Sequence, residues 1–140
     1  MKYLSIVVPS YNSQDYLNRC IQSLLPGGDD VEIIIVNDGS TDNTGAMADR
    51  YATQHPDIVK VIHQPNGGHG AGVNTGIENA TGLYFKVVDS DDWVDYDSYM
   101  TILETLKKCH ANEMPDMVLA NYVYEKVGKK RKKVMRYANV

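Results

Sequence analysis

The chain has 140 residues, a formal net charge of -4, 43% hydrophobic residues and 23% charged residues. This composition is ordinary for a globular protein and the length suffices for one domain with a buried core, which excludes a wholly disordered chain. The acidic balance argues against a nucleic-acid-binding protein. No apolar run approaches the roughly 18 residues of a membrane span, and the first residues lack the pattern of a signal peptide.

Cysteine usage agrees with a cytoplasmic protein. Cys20 and Cys109 are the only two cysteines, which is too few for a disulfide framework. Both fall within helical patterns, where a cysteine usually acts as a small apolar residue. We therefore expect a reducing environment.

Strand and helix patterns alternate along most of the chain. Apolar runs predict strands at 4–8, 31–36, 58–62 and 83–88. Helical spacing of apolar residues predicts a helix after each of these strands, at 17–25, 44–54, 73–79 and 97–110. Asn12 and Ser13 are expected to cap the first helix. This alternation predicts an α/β fold, a mostly parallel sheet with helices on both faces, in a single domain over 1–140.

The last segment departs from the alternation. A strand is expected at 117–124 and a return strand at 134–137, joined through the basic turn 129–133. A solvated hairpin tip is favoured over an anion-binding role for this turn. The chain ends soon after, so we expect it to be the N-terminal part of a longer protein.

Each of the four parallel strands is followed by a polar loop. In open α/β sheets, ligands bind outside the carboxyl ends of the strands, so these loops are expected to converge on one crevice. The four polar stretches are Pro9-Ser10-Tyr11-Asn12, 37–42, 66–70 and 89–92.

The stretch Asp89-Ser90-Asp91-Asp92 is the strongest candidate for a metal site. Its carboxylates would repel one another at the end of a strand, and a divalent cation relieves this repulsion. Oxygen ligands suit Mg²⁺ or Mn²⁺. The alternative is an acid-rich helix N-terminus, which also favours aspartate.

The loops after the second and third strands offer nucleotide ligands. Thr41 and Asp42 match helix-capping residues, whereas Asp38 has no evident structural duty and is the better ligand candidate. The glycine-rich loop 66–70 allows close backbone approach, and its amides are candidates for phosphate contact. His69 is interpreted as an ordinary loop histidine. Tyr11 is a candidate for stacking on a base, with core packing as the alternative.

Together these loops resemble the family 2 glycosyltransferases of GT-A fold. The matching stretches, in the family's order, are SIVVPSYN at 5–12, IIIVNDGSTDNT at 33–44, NGGHGAGVNTGIENATG at 66–82 and VVDSDDW at 87–93. The resemblance covers about residues 4–119. It implies a Rossmann-like nucleotide-diphospho-sugar transferase fold, truncated here on the acceptor side.

The resemblance also implies site residues. It assigns Asp38 to the base and Asp89 to the ribose and sugar, and it makes Asp91, with Asp89, the ligand of Mg²⁺ or Mn²⁺. The full set implied to bind the nucleotide sugar is Pro9, Tyr11, Asn12, Asp38, Gly39, Asn66, Gly68, Asn74, Asp89 and Ser90.

The implied activity is metal-dependent, inverting transfer of a sugar from a nucleoside-diphosphate donor, with UDP-sugars favoured, to a hydroxyl acceptor. The acceptor would be a carbohydrate or a lipid-linked molecule, as in polysaccharide or cell-envelope synthesis. The location would be cytoplasmic, including the inner face of the membrane. The general base is expected beyond Val140, so the isolated chain should transfer little sugar. A non-catalytic nucleotide-binding module and a sugar nucleotidyltransferase remain alternatives.

Overall fold

The computed structural model describes residues 1–125 and 132–136. It contains two compact units, residues 1–106 and residues 107–140, which are described separately. That the whole chain forms a single domain stays a prediction.

A four-stranded parallel sheet forms the centre of the first unit. Its strands are β1 (Leu4–Ser10), β2 (Val31–Asp38), β3 (Val59–Gln64) and β4 (Tyr84–Val87). The spatial order is β3-β2-β1-β4, and every neighbouring pair is parallel. Every residue of β1 and β2 is buried, as expected for central strands covered on both faces. The predicted α/β fold with a parallel sheet is confirmed.

Four helices accompany the sheet. They are α1 (Leu17–Leu24), α2 (Thr44–Gln54), α3 (His69–Asn79) and α4 (Tyr96–Ala111), and a 3₁₀ segment (Leu25–Asp30) follows α1. Cys20 and Cys109 lie in helices as predicted, and both are free thiols. None of the helices in the described residues combines the length and the apolar character needed to cross a membrane.

The helices cover both faces of the sheet. On one face α3 packs so closely that a side chain at Gly76 would collide with Val7 of β1. On the other face, His63 of β3 contacts Asp49 of α2 at 2.8 Å. The two faces are distinct because successive residues of a strand point to opposite sides, and Val36, which faces α3 at Gly72, precedes Asn37, which faces α2 at Gly45.

One predicted helix cap and one predicted helix start are wrong. The expected cap of α1 by Asn12 and Ser13 is absent, because α1 begins at Leu17 and its N-cap, Tyr16, makes no side-chain cap bond. Both predicted capping residues instead contact other loops. Helix α3 begins at His69 rather than near residue 73, because its close packing on β1 outweighs the poor helix propensity of its glycines.

The amino edge of the sheet holds a buried carboxylate. Glu32 of β2 is 1% exposed and accepts hydrogen bonds from Ser5 Oγ at 2.5 Å and Lys60 Nζ at 2.8 Å. It also accepts bonds from Thr81 N and, at 3.2 Å, from Gly82 N. Burial alone would raise the pKa of Glu32, but these bonds outweigh it and lower the pKa to about 2.

The second unit contains a small antiparallel hairpin, β5 (Tyr122–Tyr124) and β6 (Lys133–Met135). The predicted strand at 117–124 is thus shorter than expected, because only its last residues find a pairing strand. Part of the basic turn, residues 129–131, and the end of the predicted return strand, residue 137, lie outside the described residues. Lys132 of that turn pairs with Glu125 at 2.5 Å.

Candidate functional site

Four loops meet at the carboxyl edge of the sheet, as the sequence predicts. We call them L1 (11–16), L2 (39–43), L3 (65–68) and L4 (88–95), following β1, β2, β3 and β4 respectively. Hydrogen bonds join L1 to L2 and L4 to L1, Asp38 at the end of β2 bonds to L3, and His69 at the start of α3 bonds to L4. The loops and the residues bonded at their ends therefore form a closed ring.

Bonds between side chains and backbone amides join loop L1 to L2 and to the start of α2. Asn12 Oδ1 accepts a hydrogen bond from Thr41 N at 2.8 Å, and Thr44 Oγ1, at the start of α2, accepts one from Ser13 N at 2.8 Å. Asn12 has a φ of 46°, an uncommon backbone angle for a residue with a side chain. These bonds give Asn12 a structural role beside its predicted place in the nucleotide site.

Asp38 joins β2 to loop L3. Its Oδ1 accepts hydrogen bonds from Gln64 Nε2 at 2.9 Å and Gly67 N at 2.8 Å, and its Oδ2 accepts one from Gly68 N at 2.9 Å. Burial favours a raised pKa, but the bonds from Gln64 and the two amides outweigh it, so the pKa of Asp38 lies below its usual value.

Two sequence-based expectations are corrected here. Asp38 does have a structural duty, because it holds the glycine-rich loop. The amides of Gly67 and Gly68, expected as phosphate donors, are directed to that carboxylate instead. A direct contact of Asp38 with a nucleotide base stays a prediction.

Glycines at two positions allow the loops to approach each other. Gly39 has a φ of +71°, and a Cβ there would lie 2.6 Å from Asn66 N. Asn66 in turn donates its side-chain amide to the Asp38 carbonyl at 3.1 Å. Gly68 has a φ of +93°, which only glycine adopts without strain, and it precedes α3. The predicted residues Gly39, Asn66 and Gly68 therefore lie together.

An acidic cluster occupies loop L4. One carboxylate oxygen from each of Asp89, Asp91 and Asp92 lies within 4.8 Å of the others, and all three residues are exposed. Partial burial, with the charges of Asp91 and Asp89, raises the pKa of Asp92. The repulsion expected from the sequence is present, and the three residues offer hard oxygen donors of the kind that Mg²⁺ and Mn²⁺ accept.

Helix α1 lies along L4 and holds it from one side. Cys20 Sγ donates to the Asp89 carbonyl at 3.6 Å, and Val94 N donates to Ser23 Oγ at 3.1 Å. The Arg19 guanidinium lies 3.4 Å from the centre of the Trp93 ring, a cation–π contact. Burial, and then the acidic cluster, raise the pKa of the Cys20 thiol to about 12, so this cysteine is a packing residue rather than a nucleophile.

Ser90 and His69 complete the ring. The hydroxyls of Ser90 and Ser13 lie 2.6 Å apart, and both residues are buried. His69 Nε2 lies 2.9 Å from Asp89 Oδ1, and this contact joins the end of L3 to L4. The interpretation of His69 as an ordinary loop histidine missed this pairing. The signal available in the sequence was its place in the glycine-rich loop after the third strand, at the same edge of the sheet as the acidic loop after the fourth.

Three predicted residues occupy different settings. Pro9 is buried in β1, and its Cβ faces Gly72 of α3, so its side chain packs on that helix. That Pro9 lines the nucleotide site stays a prediction. Tyr11 is 53% exposed in L1, which leaves its ring accessible for stacking. Asn74 is exposed on α3, more than one helical turn beyond His69.

The chain belongs to glycosyltransferase family 2. The profile of the family described as "Glycosyl transferase family 2" matches residues 5–137, nearly the whole chain. The match extends beyond residues 4–119, where the resemblance is apparent from the motifs.

Named relatives and solved structures agree with this assignment. EpsH of Bacillus subtilis, named as a glycosyltransferase, is 42% identical over 123 residues, covering 87% of this chain and 34% of its own length. The crystal structure of Staphylococcus aureus TarS 1-349 with UDP-GlcNAc has a TM-score of 0.68 and 29% identity, over 79% of this chain and 32% of that one.

A second solved structure is the mannosyltransferase PcManGT of Pyrobaculum calidifontis in complex with GDP-Man and Mn²⁺. Its TM-score is 0.62 at 25% identity, over 69% of this chain and 30% of that one. The GT-A fold implied by the sequence is therefore confirmed. The chain spans about one third of the length of EpsH and of the two crystallised chains.

Proposed function

We propose that the ring of loops binds a nucleoside-diphosphate sugar and that the chain is the donor-binding part of an enzyme that transfers the sugar to a hydroxyl acceptor. The observation that carries this proposal is the acidic cluster, whose oxygens gather within 4.8 Å at the carboxyl edge of the sheet. UDP-sugars are the favoured donors, with TarS in complex with UDP-GlcNAc as support.

A divalent cation, Mg²⁺ or Mn²⁺, fits the acidic cluster. Asp91 and Asp89 would hold it, and Asp92 adds negative charge beside them. When bound, the cation supplies Lewis-acid stabilisation of the charge that develops on the leaving diphosphate. The Mn²⁺ in the PcManGT complex supports this choice of metal.

The other residues of the ring position the donor. Exposed Tyr11 stacks on the base, and exposed Asn66 and Asn74 shape the pocket. Asp38 acts through the glycine-rich loop that it holds, which fixes the start of α3. These contacts orient the donor while the acidic cluster faces its diphosphate.

The transfer that we propose is an in-line displacement with inversion. The acceptor oxygen bonds to the anomeric carbon as the bond from that carbon to the diphosphate oxygen breaks. A separate carboxylate must take the acceptor proton, and we assign this role to no residue of this chain. Membership of family 2 favours this reaction over nucleotidyl transfer.

The test is calorimetry of UDP binding with and without MnCl₂, on the unmodified chain and on Asp91→Ala. We expect Mn²⁺ to tighten UDP binding by tenfold or more, about 1.4 kcal/mol or more, and we expect Asp91→Ala to abolish that gain. GDP, titrated in parallel, tests the preference for uracil.

Asp97→Asn is the matched control, because Asp97 is also an exposed aspartate and lies just beyond L4 in α4. It should bind as the unmodified chain does. UDP binding that ignores Mn²⁺ would remove the role of Asp91 and leave a nucleotide-binding module. No binding of either nucleotide would contradict the proposed donor site.

A further inference from the structure

The contact between His69 and Asp89 closes the ring between the loops of the two edge strands. L3 follows β3 and L4 follows β4, and two strands lie between them in the sheet. The residues are 20 positions apart in sequence, yet His69 Nε2 reaches Asp89 Oδ1 at 2.9 Å. The carboxylate it reaches belongs to the acidic cluster.

The backbone that presents His69 is itself fixed. His69 follows Gly67 and Gly68, whose amides Asp38 holds, and it is the first residue of α3. The Gly68 carbonyl accepts the Gly72 amide at 3.2 Å, which anchors the first turn of the helix. The buried Asp38 carboxylate therefore fixes the backbone from which the imidazole of His69 extends.

Stability does not account for this contact. The side chains of His69 and Asp89 are 64% and 51% exposed, and pairs this exposed contribute at most about 1 kcal/mol to folding. A contact of low structural value inside a cluster of ligand-type oxygens indicates a role in orienting the ligand.

We propose that His69 is a positioning residue that orients Asp89 for the cation and the donor. By donating its Nε2 proton to Oδ1, it fixes the plane of the carboxylate and leaves Oδ2 to face the ligand. Hydrogen-bond partners of metal-binding carboxylates commonly alter metal affinity by roughly 10–100-fold when removed. The inference rests on the proposed function, because it requires the acidic cluster to bind a cation.

The chain carries its own reporter for the test. Trp93 is the single tryptophan and directly follows Asp92 in the sequence. Mn²⁺ quenches tryptophan fluorescence at short range, so a titration with MnCl₂ alone measures cation binding without any enzymatic readout. The titration compares the unmodified chain with His69→Ala, which removes the donor, and with His69→Gln, whose side-chain amide can replace it.

His63 provides a matched control. His63 Nε2 contacts Asp49 Oδ1 at 2.8 Å, and the two side chains are 48% and 61% exposed, so the pair resembles His69 and Asp89 away from the acidic cluster. We expect His69→Ala to weaken Mn²⁺ binding by roughly tenfold or more. We expect His69→Gln and His63→Ala to stay close to the unmodified chain.

The outcomes separate the inference from the proposed function. Equal or tighter Mn²⁺ binding by His69→Ala would overturn the positioning role, and tighter binding would show that His69 competes with the cation for Asp89. A failure of His69→Gln to restore affinity would likewise overturn the role of the donated proton. If the unmodified chain binds no Mn²⁺, the proposed metal site fails as well.

Discussion

The two ends of the parallel sheet hold carboxylates in opposite settings. At the amino end Glu32 is buried and accepts bonds from Lys60, Ser5 and the turn before β4, which lower its pKa to about 2. At the carboxyl end the ring of loops brings exposed carboxylates together, and the pKa of Asp92 is raised by partial burial and by its neighbours. The amino end stabilises the negative charge of one carboxylate, whereas the carboxyl end brings several negative charges together.

Surrounding groups distinguish a structural carboxylate from a ligand-binding one. A carboxylate that serves the fold is surrounded by donors, because an unpaired buried charge is costly. Carboxylates crowded against one another in solvent weaken the folded state, so their placement is best explained by a ligand. Asp38 belongs to the first kind although it lies beside the ring, since two glycine amides and Gln64 surround it.

The largest expected effect is at the amino end. Glu32→Gln keeps the shape of the side chain but removes the charge that Lys60 and Ser5 stabilise. The pKa difference between about 2 in the folded chain and 4.5 as the ordinary value corresponds to about 3 kcal/mol of stability near neutral pH. Urea unfolding at pH 7 should show a loss of this size.

The pH dependence gives the sharper test of Glu32. A carboxyl with a lowered pKa contributes its stability above the ordinary pKa and loses it as the pH falls from about 4.5 towards about 2. The difference between the unmodified chain and Glu32→Gln should therefore shrink steadily over that range. A difference that stays constant down to pH 3 would show that the charge of Glu32 is not what stabilises the amino end.

A smaller effect is expected at Asp38. Asp38→Asn replaces an acceptor oxygen with an amide group that faces donors, and the cost should be about 1–3 kcal/mol. The loop fixed by Gly67 and Gly68 should also loosen, which faster hydrogen exchange of those two amides would reveal. Asp29→Asn, at an exposed aspartate, is the control and should change neither property. Unchanged exchange would contradict the structural role of Asp38.

The sheet could be predicted because its signal is local. The centres of β1 and β2, residues 6–8 and 33–36, are continuous β-branched runs, which are typical of strands buried on both faces. The start of α3 could not be predicted, because glycine-rich residues 69–72 favour a loop until packing on Pro9 and Val7 is known.

The sequence predicts which loops form the site but not which side chains and amides are hydrogen-bonded to each other. The acidic stretch after β4 and the polar ends of the other strands identify the carboxyl edge. The structural role of Asp38 depends on backbone amides that lie 29 and 30 residues further along the chain. The contact between His69 and Asp89 joins residues that are 20 positions apart. Only the three-dimensional arrangement shows which side chains meet.

The smallest effect is expected in the acidic cluster and has the opposite sign. Partial burial and the charges of Asp91 and Asp89 raise the pKa of Asp92, so its ionisation weakens the folded state as the pH rises above the ordinary carboxyl range. Asp92→Asn should stabilise the chain at pH 7 by about 0.5 kcal/mol, since the cluster is exposed to solvent. Thermal unfolding without added metal measures this gain.

Addition of MnCl₂ should make the unmodified chain more stable than Asp92→Asn. A cation that binds only the folded chain stabilises it more the more tightly it binds. The cluster with three carboxylates should bind the cation more tightly than the cluster with two. The unmodified chain should therefore gain more from Mn²⁺ than Asp92→Asn, whereas Asp97→Asn should gain as much as the unmodified chain. If Asp92→Asn is destabilised without metal, the charge of Asp92 serves the fold as that of Glu32 does, and the contrast between the two ends of the sheet fails. If Asp92→Asn gains as much from Mn²⁺ as the unmodified chain, Asp92 adds nothing to cation binding.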